Sequence, residues 1–486
     1  GDLSEGLIWQ QRSLELYRQV EDLQNMANLS MEIAITHDSA GQKELARPLY
    51  LYALEAWRDL HNLMGQASVL NSLGVYYQEQ GEHQQAFSAL TQAVDCAQRS
   101  GYARMQAFAL TSLGDLVFEV DLRQTAQAFY QEAYPLARRL DERFLVLYLD
   151  LARAALAWSA HEWDVAYACL DSAGRLVLSK NSSYEWGLYR QAMGRYYLAQ
   201  GAAQQALEPL QDAAACFAQG GQTPDEARAR MILVAAYQKA GKQAEAAREL
   251  EATLPLAAQL DSQHAVAVAA SQVSDLLRAM PARGPHAGQR NRMLAAVNAF
   301  QAQRLHVRRE FRRQLRSLFP HIPVDPPALV VRALGHAEVS VDGQPIALAD
   351  WKTRVSRDLL FCLLAHPEGL TKEQIGMHFW PDCSPEQLKT RFKNTIYRMR
   401  SALGQEVVLF EDGRYRFDPL LDYEYDVDLF LHYVAAGDAA ADLETRVDDR
   451  AADGDEDHPR CPADRLSVDR TTELEPWIVE VPRARG

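Results

Sequence analysis

Residues 86–93 are Ala86-Phe-Ser-Ala-Leu90-Thr-Gln-Ala93, and this spacing of small and large side chains returns every 40 residues. Alanine opens each copy, and a large side chain follows four residues later. The two series are Ala46, Ala86, Ala126, Ala166, Ala206 and Ala246, then Tyr50, Leu90, Tyr130, Leu170, Leu210 and Leu250. Small residues let two helices cross closely while the large residue fills the groove between them. The period therefore predicts a stack of helix pairs.

A second series in the same phase strengthens this prediction. Leu73-Gly74, Leu113-Gly114 and Met193-Gly194 lie upstream of the alanines, and glycines at 41, 81, 201 and 241 mark turns. The pattern resembles a tetratricopeptide repeat in a 40-residue form and spans about residues 26–280. The first and fourth repeats depart from it, with Ile33-Ala34 and Arg153-Ala154 in place of the Leu-Gly pair. We assign residues 1–280 to these repeats.

The resemblance implies a right-handed superhelix whose concave face binds a peptide, a protein or a small effector. The first helix of each pair is expected to line that face. The effector- or partner-binding residues expected there are Asn71, Gln78, Thr111, Asp115, Trp158, Gln191, Arg195, Arg228 and Gln238. The alternative is that most of them are solvated surface or packing between repeats, and a tryptophan such as Trp158 is more often core.

Three segments follow the repeats. Proline and glycine make residues 281–289 a linker. Residues 290–318 form a long amphipathic helix with eight arginines and one acidic residue. This helix could pack on the last repeat, pair with a second chain or lie near DNA phosphates, and a solvated arginine face is the alternative. The proline-rich residues 319–327 predict a stiff second linker.

Residues 328–420 change to short β-branched strands and three helices. Asp342-Gly343 predicts a hairpin turn, Thr371 an N-cap, and Ser384-Pro385 the start of a third helix that ends at Gly404. A two-stranded hairpin over residues 407–417 follows. The third helix carries five cations and one acidic residue over residues 384–403. Cations mixed with Asn and Thr suit contacts to phosphates and base edges.

The order of strands, three helices and hairpin resembles a winged helix-turn-helix. The segments Val331-Arg-Ala-Leu-Gly335, Gly369-Leu-Thr-Lys-Glu-Gln-Ile375 and Ile396-Tyr-Arg-Met-Arg-Ser-Ala-Leu-Gly404 look like the DNA-binding domain of antibiotic-regulator (SARP) bacterial activators, which share the OmpR-type fold. The resemblance implies that the third helix enters the major groove of promoter DNA. The residues expected to contact DNA are Lys389, Thr390, Arg391, Lys393, Asn394, Thr395, Tyr397, Arg398 and Arg400, with Arg414 and Arg416 on the wing.

The wing departs from the family pattern, because Glu411-Asp412 occupies its tip. MalT-like regulators also place a nucleotide-binding domain before such repeats, and the chain has no P-loop motif, so we expect any such domain upstream of residue 1. Residues 421–436 resemble the start of an activation domain. Residues 437–486 are rich in Asp and Arg, and we expect a disordered tail, from a truncated or altered C-terminus.

Composition, charge distribution and missing motifs limit the classes of function that the chain can have. The chain has 486 residues and a formal charge of −15, which by itself argues against nucleic-acid binding. The charge is nevertheless uneven, with −10 on residues 1–289, +8 on residues 290–403 and −7 on residues 435–486. Six scattered cysteines fit a reducing cytoplasm. The sequence lacks catalytic and metal-binding motifs and an 18-residue apolar run, so we expect no enzyme activity, no cofactor, no metal and no membrane span.

The fold class expected is therefore mostly α, a tetratricopeptide superhelix followed by a small α+β winged helix. The function expected is sequence-specific regulation of transcription, most simply activation, with a protein or small effector as the signal. Partners are double-stranded promoter DNA and RNA polymerase, and a homo-oligomer is left open. The alternative is a tetratricopeptide scaffold whose winged helix is a protein-interaction module.

Overall fold

The computed structural model describes residues 3–431 and 434, apart from 179–181, 281–282, 284 and 336. Residues 1–425 form one compact unit. The second unit is described over residues 426–431 and at 434, and there residues 426–431 are helical. The expected disordered tail at 437–486 lies outside the described residues.

Antiparallel helices occupy the first half of the chain. They are α1 Leu3–Gln19, α2 Leu23–Ser39, α3 Lys43–Asp59, α4 Leu63–Gln80, α5 His83–Ser100, α6 Ala103–Glu119, α7 Arg123–Arg139, α8 Arg143–Ser159, α9 Trp163–Leu178, α10 Ser183–Ala199, α11 Ala203–Gly220, α12 Thr223–Lys239 and α13 Gln243–Ala257. From α2 onward they form the six pairs that the 40-residue period predicts, with α2, α4, α6, α8, α10 and α12 as the first helices.

The turns between helices repeat at half that period. A residue with left-handed backbone stands at every twentieth position that the structure describes from 21 to 241. Glycine occupies this position at six turns, where a positive φ carries no steric cost, while Asp, His or Glu occupies it at the others. This geometry ends one helix and reverses the chain into the next within three residues.

The Leu-Gly pairs mark the points where the two helices of a repeat touch. A Cβ at Gly74 would overlap the side chain of Leu90, and a Cβ at Gly114 would overlap Tyr130. Gly194 bears the same relation to Leu210. Glycine in the first helix therefore admits the large residue of the second, which explains why the two series keep one phase.

The last helices cross back over the stack. They are α14 His264–Ala270, α15 Ser274–Ala279 and α16 Ala287–Leu318. Met293 and Val297 of α16 join the core of the last repeats, and Phe311 stacks on Phe87 of the second repeat with ring centroids 4.8 Å apart. The helix begins at Ala287 rather than at residue 290, so it takes up the end of the predicted 281–289 linker.

Residues 319–327 pack on the repeats, which corrects the prediction of a stiff, separate linker. Phe319 and Ile322 are buried in the core of the first four repeats. Asp325 is also buried, and its carboxylate accepts the backbone N–H groups of Gln124 and Thr125 at 3.1 and 3.0 Å. It thereby caps the N-terminus of α7, whose own N-cap residue makes no such bond.

The C-terminal part of this compact unit is an α+β arrangement. Its elements are β1 Leu329–Arg332, β2 Glu338–Val341, β3 Gln344–Pro345, α17 Arg354–Leu364, α18 Lys372–Phe379, α19 Pro385–Leu403, β4 Val408–Glu411, β5 Arg414–Phe417 and β6 Tyr423–Tyr425. One sheet has the order β3-β2-β1-β6, and β4 pairs with β5 as a separate hairpin.

Strand β6 corrects the predicted boundary at residue 421. It pairs in parallel with β1, with Leu329 opposite Tyr423 and Val331 opposite Tyr425. Residues 423–425 therefore complete the sheet instead of opening a separate activation segment.

The arginines at the end of α16 face this sheet. Arg312 pairs with the buried Asp422, Arg316 lies 2.7 Å from Glu424, and the Arg309 guanidinium lies 3.7 Å from the centroid of the Tyr423 ring. Of the placements left open for α16, packing on the repeats is the one observed. These three arginines do not form a free basic face.

Candidate functional site

Helix α19 is held between two well-defined ends. Ser384 accepts the N–H of Gln387, and the Gln387 side chain accepts the N–H of Ser384, which makes a capping box. Gly404 ends the helix with φ of +67°. Phe392, Ile396, Met399 and Leu403 are buried, so the opposite face of the helix is fixed toward solvent.

That opposite face is basic. Lys389, Thr390, Arg391, Lys393 and Asn394 are exposed, and Tyr397 is 72% exposed. Within the described part of the chain, no carboxylate forms an ion pair with Lys389, Arg391, Lys393 or Arg398. We call Lys389, Arg391, Lys393, Asn394 and Tyr397 the basic helix face.

Three other α19 residues expected to contact DNA are buried, half-buried or ion-paired. Thr395 is buried, and its hydroxyl donates to the carbonyl of Arg391 at 2.9 Å, which corrects its assignment to the contact surface. It lies one helical turn from the buried Phe392 and Met399, on the inward face of α19. Arg398 is half-buried, and Arg400 pairs with Glu406 at 2.7 Å at the far end of the helix.

The two arginines of the β4–β5 hairpin make contacts inside the chain. Arg416 pairs with Glu411, and Arg414 donates to the carbonyl of Gly369 at 2.9 Å. Backbone bonds between Leu370 and Tyr415 at 2.8 and 2.9 Å tie the hairpin to the start of α18. Glu411 of the acidic hairpin tip therefore neutralises Arg416. The positive charge available to a ligand comes from α19.

A second candidate site is formed by the first helices of the repeats together with Lys43 at the start of α3. We call its charged and phenolic residues the inner surface: Asp38, Lys43, Glu79, Asp115, Glu119, Tyr148, Arg195, Asp225 and Arg228. Side chains far apart in sequence lie close enough here for their charges to act on one another. The charge of Arg228 acts on Asp115, and the charge of Lys43 acts on Asp225. Lys43 pairs with both Asp38 and Glu79, and Arg228 pairs with Asp225.

Burial shifts several of these groups. It raises the pKa of Asp115 to about 6, although the hydroxyls of Tyr130 and Tyr148 oppose it by donating to the carboxylate at 2.6 and 2.8 Å. It also raises the pKa of Asp38 to about 6 against the attraction of Lys43. Arg195 is exposed, yet desolvation by the surrounding side chains and the nearby Arg228 lower its pKa.

The nine residues expected on the concave face divide by accessibility. Thr111, Trp158 and Gln191 are buried, and the Thr111 hydroxyl donates to the carbonyl of Ala107. These three are corrected to packing positions. Arg195 is exposed beside Trp158, with its guanidinium 5.7 Å from the ring centroid. The half-buried members are Asn71, Gln78, Asp115, Arg228 and Gln238.

Sequence reasoning missed several inner residues. Glu119 lies one helical turn after Asp115 on the same face of α6, so its spacing was a usable signal. His264 had none, because it joins the second and third repeats only when residues 260–264 fold back. That return is fixed by Asp261, which accepts the N–H of Glu44 at 3.1 Å, and by Ser262, which donates to the carbonyl of Glu79 at 3.0 Å.

Comparison with known proteins agrees with the repeat architecture. Residues 65–139 match the tetratricopeptide repeat family. The matched residues run from α4 to α7, which are the second and third helix pairs of the stack. Among proteins with curated descriptions, none matches its sequence.

Two of the solved structures to which the chain is similar are a BtubC protein and a Rap protein. BtubC from P. vanneervenii is 18% identical, with 45% of this chain and 92% of that chain covered and a TM-score of 0.37. A Rap protein complexed with competence and sporulation factor is 13% identical, with 65% and 93% covered and a TM-score of 0.42.

Among the described residues, no helix combines the length and the apolar character needed to cross a bilayer.

Proposed function

We propose that the chain is a DNA-binding transcription regulator in which residues 328–425 form a winged helix and α19 lies in the major groove. The basic helix face carries this proposal. Its three cations have no carboxylate partner among the described residues, and Asn394 and Tyr397 lie beside them. Such a face combines phosphate neutralisation with groups that recognise base edges.

The side chains of α19 support DNA binding more strongly than those of the β4–β5 hairpin, the proposed wing. Lys389 and Lys393 supply mobile charges for phosphates, while Arg391 and Asn394 are one turn apart and offer donors in pairs. The hairpin tip has Glu411 and Asp412, so it adds little attraction to a phosphate backbone. We therefore propose binding dominated by α19.

The repeats are proposed to receive the signal. The inner surface presents both charge signs together with phenol groups, which suits a polar protein segment or a small zwitterionic effector. Helix α16 packs on the repeats and, through Arg312 and Arg316, on β6 and the residue before it. Binding at the inner surface thus has a route through α16 to the sheet. From there Tyr423 of β6 packs on Phe417 of the hairpin, and Tyr415 of the hairpin packs on Phe392 of α19. RNA polymerase, a bacterial cytoplasm and activation of transcription stay part of the proposal.

Selection from random duplex DNA, followed by binding at graded salt, tests this function. If three to four phosphates are neutralised, log K falls with log salt at a slope of about −3 to −4. An enriched sequence motif with that slope is the expected result. No enrichment, together with a flat salt dependence, would contradict DNA as the ligand.

A second candidate is a scaffold whose C-terminal unit binds protein. The observation in its favour is exposed apolar surface, at Met377 (68%), Tyr397 (72%) and Phe410 (59%). Apolar side chains at this exposure are typical of protein contact surfaces when they are contiguous. Under this alternative, replacing Met377 and Phe410 by Ser abolishes capture of the partner, while DNA binding is absent throughout.

A further inference from the structure

Three side chains with metal-binding chemistry meet where the chain folds back on the repeats. His83 opens α5, Glu119 ends α6 and His264 opens α14. His83 Nε2 lies 3.0 Å and His264 Nε2 lies 2.7 Å from the same oxygen, Glu119 Oε1. One atom from each residue can be chosen so that all three lie within 4.8 Å of one another.

The surroundings of this cluster are closed. The side chains of His83, Glu119 and His264 are 3%, 14% and 12% exposed. The two imidazole rings are edge to face at 5.1 Å, and Phe300 of α16 lies edge to face on His264 at 5.5 Å. Gly81 caps the C-terminus of α4, and its backbone is so close to His264 that a side chain there would meet the imidazole.

The distances are near those of a coordinated ion. Zinc binds imidazole nitrogen and carboxylate oxygen at about 2.0–2.2 Å, which in tetrahedral geometry separates two ligand atoms by about 3.3 Å. Room for the ion requires that the two Nε2–Oε1 distances widen from 3.0 and 2.7 Å, and that the ligand nitrogens of the two imidazoles, which lie within 4.8 Å of each other, reach the same separation. Two neutral imidazoles and one carboxylate suit Zn²⁺ and not Mg²⁺, which prefers oxygen ligands.

The carboxylate is also prepared for that role. Gln78 donates to Glu119 Oε2 at 3.0 Å, which fixes the carboxylate plane and leaves Oε1 directed at the histidines. Such an outer hydrogen bond is the usual support of a metal-binding carboxylate.

We propose that His83, Glu119 and His264 bind one Zn²⁺, with water as the fourth ligand, and that the ion fastens α14 to the second and third repeats. His83 and Glu119 lie far from His264 in sequence, so the ion closes a long loop between the second and third repeats and the segment that follows the last repeat. A site of this kind stabilises the folded state that binds the metal. Its role is structural.

Zinc binding to the intact chain tests the proposal. Protein freed of metal by chelator is dialysed against Zn²⁺, and bound metal is counted by mass spectrometry alongside thermal unfolding. We expect one Zn²⁺ per chain, a higher Tm with Zn²⁺, reversal by chelator and no effect of Mg²⁺. Glu119→Gln and His264→Gln should each lower zinc affinity at least 10-fold. His321→Gln, which breaks an exposed 3.0 Å pair with Glu132, is the matched control and keeps wild-type loading.

Circular dichroism of the variants separates loss of metal from loss of fold. Folded Glu119→Gln that retains stoichiometric zinc would overturn the proposal. Wild-type protein that takes up no zinc would overturn it without reference to any variant, and the cluster would then be a hydrogen-bonded triad.

Discussion

Close packing at single glycines determines how far the helices of each repeat can approach. Gly74 lies directly against Leu90, so Gly74→Ala forces the leucine or the helix to move. We expect the free energy of unfolding to fall by about 1–3 kcal/mol. Gly288→Ala is the matched control, because nothing lies within 4 Å of an added Cβ and alanine favours helix there. Denaturant unfolding of both variants checks this, and equal stabilities would contradict it.

Asp115 predicts a pH dependence of stability. Burial raises its folded pKa to about 6 from an ordinary 3.8. Above pH 6 both states are ionised and the folded state bears the cost of a buried charge. As pH falls through 6 the folded state takes up a proton that the unfolded state does not bind until near pH 3.8, so stability rises.

The measurement compares unfolding of wild type and Asp115→Asn from pH 7 to pH 4. Relative to the variant, wild type should gain about 2 kcal/mol over this range. For Asp95→Asn, at an exposed position on α5, the free energy of unfolding should depend on pH in the same way as that of wild type. If the free energies of unfolding of Asp115→Asn and wild type changed equally with pH, the raised pKa of Asp115 would be contradicted.

At the scale of elements, Asp325, in the segment after α16, caps the N-terminus of α7. The N-terminus of α7 has backbone donors that its own sequence does not cap, and the carboxylate of residue 325 accepts two of them. We expect Asp325→Ala to lower the free energy of unfolding by about 1–2 kcal/mol. Asp350→Ala, at an exposed loop position, should change it little. A chemical-denaturation series measures both, and a neutral Asp325→Ala would contradict the capping role.

The sequence predicted elements well where the signal was local. Ser384-Pro385 and Gly404 bounded α19, and the 40-residue phase located the repeats, because caps, turns and helix crossings depend on neighbours a few residues away. Strand β6 was missed, since its three residues acquire strand geometry only by pairing with β1, about 90 residues earlier in the chain. The same reason hid Asp325 and His264, whose partners lie about 200 and 145 residues away.

The candidate site was predicted in part. Charge identified α19, and the exposed positions of Lys389, Arg391 and Lys393 agree with an amphipathic helix. Thr395 was assigned wrongly because a helix face read from sequence has uncertain edges, and it falls on the buried side. The arginines of α16 gave the same charge signal, but the sheet supplied Asp422 and Glu424 as partners, and no local pattern shows that pairing.

At the scale of the whole molecule, the formal charge of −15 hides opposite local charges. Under the proposed function, the acidic repeats repel the DNA backbone, while Lys389, Arg391 and Lys393 of α19 have no acidic partner among the described residues. We expect this arrangement to weaken non-specific binding and to place discrimination on a few side chains of one helix. The total charge of a chain is a poor guide to the charge of its local surfaces when its distribution is this uneven.

Binding of the intact chain to a selected duplex, measured by fluorescence anisotropy at fixed salt, tests the central claim most directly. Arg391→Ala should weaken binding by about 1–3 kcal/mol and relax preference at the contacted base pair, while Lys393→Ala should weaken all sequences alike and reduce the salt slope by about one. Arg99→Ala, in an exposed pair with Asp95 on the repeats, should bind as wild type does. Unchanged affinity in both α19 variants would contradict the account.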